Sequence, residues 1–271
     1  MPVDGSHPNQ RTSTTVLHDL RSPSSVIVSK VPEVTLVFWV IKIAATTLGE
    51  TGGDAVSMSM NLGYLVGTGI FAALFAVAVI AQISAKRFRP FLYWATIIAT
   101  TTVGTTLADF ADRSLGIGYA GGTSLLLALL VASLLVWYRT LGSIAIDTIS
   151  SPKAEMFYWV TIMFSQTLGT ALGDWTADTL GLGYLGGAIV FGALLAGFAA
   201  AYYWTRISRT VLFWLAFVLT RPLGAVLGDF LDKPSDAGGL ALSRYSSSII
   251  LLVFIVVCIW IFPQRAARRA H

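Results

Sequence analysis

Long apolar runs alternate with short polar connections along most of the chain. Runs of about 18 to 22 residues, the length that a helix needs to cross roughly 30 Å of hydrocarbon, can be marked eight times. They lie near residues 34–54, 62–82, 91–109, 117–138, 156–174, 182–204, 210–229 and 245–262. The pattern therefore predicts an all-α membrane protein with eight transmembrane helices.

Composition agrees with this pattern. The 271 residues are 55% hydrophobic and only 12% charged, and the mean hydropathy is +0.73, which is far from the balance of a soluble domain. Residues 1–30 are rich in Ser, Thr and Pro and lack the apolar segment of a secretory signal. We expect them to form a disordered cytoplasmic tail.

The distribution of basic residues predicts the orientation. Of the 18 Lys and Arg residues, 13 lie in the two tails and in the connections at 83–90, 139–155 and 205–209. The opposite connections contain only Arg113, Lys233 and Arg244. Because basic loops stay on the cytoplasmic side, both termini are expected there. The net charge of +4 is then a topology signal, so we expect the lipid bilayer as a partner and no nucleic acid.

A two-helix unit is repeated four times. In each copy a glycine follows a tryptophan by ten residues, and an aspartate follows that glycine by five, without gaps. The positions are Trp39, Trp94, Trp159 and Trp214, then Gly49, Gly104, Gly169 and Gly224, then Asp54, Asp109, Asp174 and Asp229.

The four units form two pseudo-symmetric halves, because successive tryptophans are 55, 65 and 55 residues apart. We predict a first half at 31–138, a cytoplasmic linker at 139–155, a second half at 156–263 and a basic cytoplasmic tail at 264–271. Each unit contains two crossings, so the repeats are parallel rather than inverted. The first helices of the units can then surround a common axis, with the second helices outside them.

The repeated motifs resemble those of a known family. Tyr158-Trp159, the stretch "TLGTALGDWTADTLGLGY" at 167–184 and their counterparts in the other units are similar to bacterial inner-membrane proteins built from four tandem two-helix repeats of unknown function, each with a characteristic tryptophan. The resemblance covers about residues 30–265. It implies eight helices in a bacterial inner membrane and very little about activity.

Three sets of repeated positions have different expected roles. The tryptophans are expected to form an aromatic belt at the membrane interface, with ligand stacking as the alternative. The glycines continue four residues later as a second small residue, a spacing that brings transmembrane helices close together. The aspartates either end their helices in a half-solvated turn or form an outward-facing ring.

A polar face descends from the aspartates at helical spacing. It comprises Glu50, Thr46 and Lys42 in the first unit, Thr105 and Thr101 in the second, Thr170 and Gln166 in the third, and Arg221 in the fourth. Secondary acids follow three of the aspartates, at Asp112, Asp178 and Asp232. Since ionisable residues inside a membrane are usually paired and line a pathway, we expect Lys42 and Arg221 to act as counter-ions to acids on neighbouring helices.

The residue types restrict the chemistry. His7, His18 and His271 lie in the tails and Cys258 is the single cysteine, which argues against zinc, copper or haem bound by soft or imidazole ligands. Carboxylates, hydroxyls and an amide suit hard cations such as Mn²⁺ or Mg²⁺. No resident cofactor is expected.

These features favour a secondary transporter or channel for a small cation, linked to protons. Asp54, Asp109, Asp174, Asp229 and Glu50 would bind the ion, and Thr46, Thr101, Thr105, Thr170 and Gln166 would line its path. A structural or sensory membrane protein is one alternative. A membrane-embedded, metal-dependent enzyme that uses the aspartates is the other, although no nucleophile with an adjacent base is evident and we expect no enzyme. The sequence leaves a homo-oligomer open.

Overall fold

The chain forms eight long helices joined by short connections. The computed structural model describes Met1 and residues 29–267. Each predicted apolar run contains one helix, and the ends differ from the prediction by a few residues. The helices are α1 Leu36–Asp54, α2 Gly63–Ser84, α3 Pro90–Asp109, α4 Tyr119–Leu141, α5 Pro152–Asp174, α6 Gly183–Trp204, α7 Arg209–Asp232 and α8 Arg244–Ile261.

The first helices of the four units form a closed inner ring. Helix α1 packs against α3 and α7, and α5 packs against the same two helices from the other side. Each second helix lies outside and packs against the first helix of the next unit: α2 on α3, α4 on α5, α6 on α7, and α8 on α1. Because α8 returns to α1, every inner helix has one outer neighbour.

Burial distinguishes the two layers. In the most apolar stretches of α3 and α7, 67% of the residues are buried, whereas the outer helices have only 6% to 22% buried. Six helices are long and apolar enough to cross a membrane: α2, α3, α4, α6, α7 and α8. Helices α1 and α5 fall short because they are inner helices whose polar side chains face other helices.

Small residues let the inner helices approach each other around the ring. A Cβ atom on Gly49 of α1 would overlap the side chain of Thr101 on α3, and one on Gly224 of α7 would lie 2.8 Å from the backbone carbonyl carbon of Thr46 on α1. The same relation links Gly104 to Gln166 and Gly169 to Arg221. In each unit the repeated glycine therefore packs against a residue of the following unit, the one seven positions after that unit's tryptophan.

The connections from the inner to the outer helix share one backbone course in the first three units. A single turn of π-helix follows the aspartate at Ala55–Ser59, Phe110–Ser114 and Trp175–Thr179. A left-handed residue, Asn61, Gly116 or Gly181, and a left-handed glycine two positions later then reverse the chain. In the fourth unit α7 remains α-helical to Asp232, and Pro234 follows.

The repeated tryptophans lie inside the protein, which corrects the expected lipid-facing belt. Trp94, Trp159 and Trp214 are between 1% and 4% exposed, and Trp39 is half-buried. They pack against rings from neighbouring inner helices and against Trp137 of α4. The interior at this end of the ring is therefore filled by an aromatic cluster of Phe38, Trp39, Tyr93, Trp94, Trp137, Tyr158, Trp159, Phe213, Trp214 and Phe217.

The segments that flank the helices close the same end. Val31 accepts a backbone hydrogen bond from Ala267, and the ammonium group of Lys30 lies 2.6 Å from the carboxylate of Glu155. Ser29 and Lys30 are buried, so the predicted disordered tail is wrong for these two residues. Residues 2–28 and 268–271 lie outside the described residues, and the predictions for them stay predictions.

Candidate functional site

Six acidic side chains lie together at the C-terminal ends of the inner helices. The four repeated aspartates are between 0% and 4% exposed, so they do not occupy half-solvated turns. Oxygen atoms of Glu50, Asp54 and Asp109 lie within 4.8 Å of one another, as do those of Asp54, Asp229 and Asp232. We call Glu50, Asp54, Asp109, Asp174, Asp229 and Asp232 the carboxylate cluster.

Three basic side chains beyond the C-terminal ends of the inner helices neutralise part of this cluster. Arg113 lies 2.9 Å from Asp109 and 3.5 Å from Asp174, and so links two inner helices. Lys233 pairs with both Asp54 and Asp229. Arg244, the first residue of α8, lies 3.1 Å from Asp232 and 3.8 Å from Asp54.

Neighbouring carboxylates stabilise the positive charge of Lys233. Burial lowers the pKa of its ammonium group, but the carboxylates of Asp229, Asp54 and Asp232 act in the opposite direction and raise the pKa well above its usual value. Lys233 therefore stays protonated across the physiological pH range and remains a fixed counter-charge.

The fourth basic partner lies deeper. Arg221 of α7 is completely buried, and its Nη2 donates to Glu50 at 2.9 Å. The same nitrogen contacts the hydroxyls of Thr105 on α3 and Thr170 on α5. Arg221 thus joins all three other inner helices at the centre of the ring, and its partner acid comes from a neighbouring helix.

The carboxylate cluster carries an excess of negative charge. Among residues 29–267, its six carboxylates contact four basic side chains, Arg113, Arg221, Lys233 and Arg244, which leaves a formal charge of −2. One oxygen of Asp54, Oδ1, is buried and accepts no hydrogen bond from any described residue. Unpaired charge in a buried place is costly, so a bound cation or protons would stabilise the cluster.

The remaining predicted residues lie one to two turns deeper. Thr46 is buried, with its hydroxyl 2.8 Å from the carbonyl of Ile43 and 3.1 Å from that of Thr220 on α7. Thr101, Gln166 and Lys42 are also completely buried. Within the described part of the chain, their side-chain polar atoms have no hydrogen-bond partner.

Two of the secondary acids do not join the cluster. Asp178 is exposed and accepts a hydrogen bond from Tyr119, and Asp112 is half-buried beside Gly122. Only Asp232 belongs to the cluster, because α7 continues through it as an α-helix.

The sequence did not identify Arg113, Lys233 and Arg244 as site residues, and they entered only the prediction of orientation. Arg113 and Lys233 follow Asp109 and Asp229 by four residues, the spacing of neighbours on a helix surface. That spacing could have identified both pairs. Nothing local in the sequence indicates that Arg113 also reaches Asp174 or that Lys233 reaches Asp54.

Comparison with known proteins identifies the repeat. Residues 37–88, 92–143, 157–208 and 212–266 match one family, and each match spans one inner helix and the outer helix that follows it. The predicted four tandem repeats are thereby confirmed. No curated protein and no solved structure matches the chain. The chain belongs to the family described as "Repeat of Unknown Function (DUF347)".

Proposed function

We propose that this protein is a multi-pass protein of the bacterial inner membrane and a secondary transporter for a small cation, a hard divalent metal such as Mn²⁺ or Mg²⁺. All eight helices cross the membrane as two parallel, pseudo-symmetric halves, with both termini in the cytoplasm. The family and the apolar helices support the membrane assignment. The geometry of the carboxylate cluster supports the transport assignment.

The main support for cation binding is the formal charge of −2 on buried carboxylates whose oxygen atoms lie close together. Oxygen atoms on opposite sides of a hard divalent ion are about 4 to 5 Å apart, since metal–oxygen distances are roughly 2.0 to 2.6 Å. The oxygens of Glu50, Asp54 and Asp109 lie within 4.8 Å of one another. One divalent cation would neutralise the cluster and would find three oxygen ligands, one from each of these carboxylates.

Arg221 gives the cluster a means of releasing the ion. Its guanidinium contacts Glu50, one of the three candidate ligands, and therefore competes with a cation for this carboxylate. Protonation of Glu50 or its return to Arg221 would weaken the ion's coordination. This competition is the basis of the proposed link between the ion and protons, with Arg221 as a tethered counter-ion.

The aromatic cluster favours alternating access over an open channel. It fills the ring at the end opposite the carboxylates, and the hydroxyls of Tyr93 and Tyr158 are 2.6 Å apart within it. An ion that reaches the carboxylates from the outward side must pass this barrier. Its passage requires movement of inner helices relative to each other.

The proposal is tested by flux into proteoliposomes. Purified protein is reconstituted, and uptake of Mn²⁺, Mg²⁺, Ca²⁺ and Na⁺ is followed with and without a pH gradient. We expect uptake of a divalent ion that depends on the gradient and is lost in Asp109→Asn. Asp178→Asn, which removes an exposed acid outside the cluster, is the matched control and should transport like the parent.

Absence of flux for every cation in the parent protein would contradict transport and favour the structural or sensory alternative. Equal flux in the parent and in Asp109→Asn would show that transport does not depend on the carboxylate cluster. That the protein is not an enzyme remains an expectation.

A further inference from the structure

Below the carboxylate cluster lies a second group of polar side chains with the opposite charge. Arg221 contacts three residues, and on the helix face of each one a second buried polar residue lies closer to the aromatic cluster. Thr101 lies one turn before Thr105, and Gln166 lies one turn before Thr170. Lys42 lies two turns before Glu50. We call Lys42, Thr101, Gln166 and the nitrogens Nε and Nη1 of Arg221 the deep donor group.

Every member of the deep donor group is buried and unpaired within residues 29–267. The unpaired atoms are Lys42 Nζ, Thr101 Oγ1, both amide atoms of Gln166, and Arg221 Nε and Nη1. The four side chains are 0% exposed. A buried donor without a partner is destabilising, and more so when it is charged, so several unpaired donors on neighbouring helices point to a missing ligand.

Contacts between helices bring these residues into one region. The stem of Arg221 crosses α5 at Gly169, three residues from Gln166. Lys42 Nζ lies 4.2 Å from the centre of the Phe217 ring, and Phe217 precedes Arg221 by one turn of α7. Thr101 packs on Gly49 of α1, within two turns of Lys42 on the same helix. The group therefore lies on the four inner helices between the level of Glu50 and the aromatic cluster.

The charge of this region identifies the ligand class. Arg221 is paired with Glu50, whereas a protonated Lys42 would have no acidic partner within 4 Å in the described chain and would carry one uncompensated positive charge. Water would satisfy the donors but would not neutralise the ammonium group. A monovalent anion would do both, and the close approach of the inner helices at Gly49 and Gly104 restricts it to a small one.

We propose that the deep donor group is a binding site for a small monovalent anion of halide size. Lys42 Nζ, Arg221 Nη1, the Gln166 amide nitrogen and the Thr101 hydroxyl donate to the anion. The Gln166 carbonyl oxygen is then free to accept from Arg221 Nε. This site meets the carboxylate cluster at Arg221, whose Nη2 donates to Glu50, but anion binding does not depend on the proposed cation transport.

The site is tested by the dependence of thermal stability on chloride. Purified protein in detergent is titrated with sodium chloride against sodium gluconate at constant ionic strength, because a ligand that binds only the folded state raises the Tm saturably. We expect a saturable rise in the parent protein. Lys42→Met should weaken the apparent affinity at least tenfold, and Gln166→Leu should weaken it less.

Two controls make the result specific. Lys153→Met removes an exposed lysine near the start of α5 and should leave the chloride dependence unchanged. Asp109→Asn should also retain it while losing cation flux, so the two proposals can fail separately. Lys42→Met removes an unpaired buried charge and is expected to fold.

A parent protein whose Tm is the same in chloride and gluconate would overturn the proposal. A Lys42→Met protein with the parent's chloride dependence would overturn it as well. Gln166→Leu, which carries no change in charge, keeps the test valid if the Lys42 variant is unstable.

Discussion

Arg221 is the residue on which the centre of the ring depends. It is completely buried, and one nitrogen contacts side chains from the three other inner helices. Breaking one partner of a buried ion pair is costly, because the remaining charge stays buried without compensation. In Arg221→Met that remaining charge is the carboxylate of Glu50.

We therefore expect Arg221→Met to lower the free energy of unfolding by about 3–5 kcal/mol, seen as a large fall in Tm in detergent. Arg209→Met, which alters an exposed arginine at the start of the same helix, is the control and should change the Tm little.

The double variant Glu50→Leu and Arg221→Met should recover most of the lost stability, because it removes both charges together. If Arg221→Met alone melts at the parent's temperature, the buried pair does not stabilise the ring.

At the scale of the helix, packing of the inner ring depends on four repeated glycines. Gly224 is the most constrained, because a Cβ there would meet the backbone of Thr46, which cannot rotate away. Gly49 faces only the side chain of Thr101. Overpacking of a close contact typically costs about 1–3 kcal/mol.

Gly224→Ala is accordingly expected to lower the Tm more than Gly49→Ala. Gly192→Ala on the outer helix α6 is the matched control, since a Cβ there meets no atom within 4 Å, and alanine is the better helix former. An equal effect of Gly224→Ala and Gly192→Ala on thermal stability would be inconsistent with close packing at the ring.

The repeat register explains how much of the fold could be predicted. Alignment of the four tryptophans places Thr46, Thr101, Gln166 and Arg221 at one level, and the structure stacks these residues in sequence on the repeated glycines. The same register places the four aspartates together at one end. Both levels can be predicted from the repeat spacing and the period of the α-helix, which a single sequence provides.

Pairings between units could not be predicted in the same way. Lys233 reaches Asp54 across 179 residues, and this contact depends on the closure of α7 against α1. The tryptophans were misplaced for a related reason. Their depth at the helix start suits a lipid interface, but neighbouring rings, including Trp137 on an outer helix, surround them inside the protein.

At the scale of the whole molecule, the proposed orientation separates the two ends of the ring. In that orientation the basic connections face the cytoplasm and the carboxylate cluster faces the opposite side. In a Cys258→Ala background, a single cysteine at exposed Ser114 should react with a membrane-impermeant maleimide in intact spheroplasts. One at exposed Lys86 should react only after lysis. The reverse labelling would invert the topology.

The central claim, that the carboxylate cluster binds a divalent cation, is tested most directly by equilibrium binding. Electron paramagnetic resonance of free aqueous Mn²⁺ measures the ion removed from solution by purified protein in detergent. We predict saturable binding of about one Mn²⁺ per chain, because one divalent ion neutralises the formal charge of −2. Asp109→Asn should abolish this binding and Asp178→Asn should retain it. No loss of the free Mn²⁺ signal with the parent protein, or equal loss with Asp109→Asn, would contradict the account.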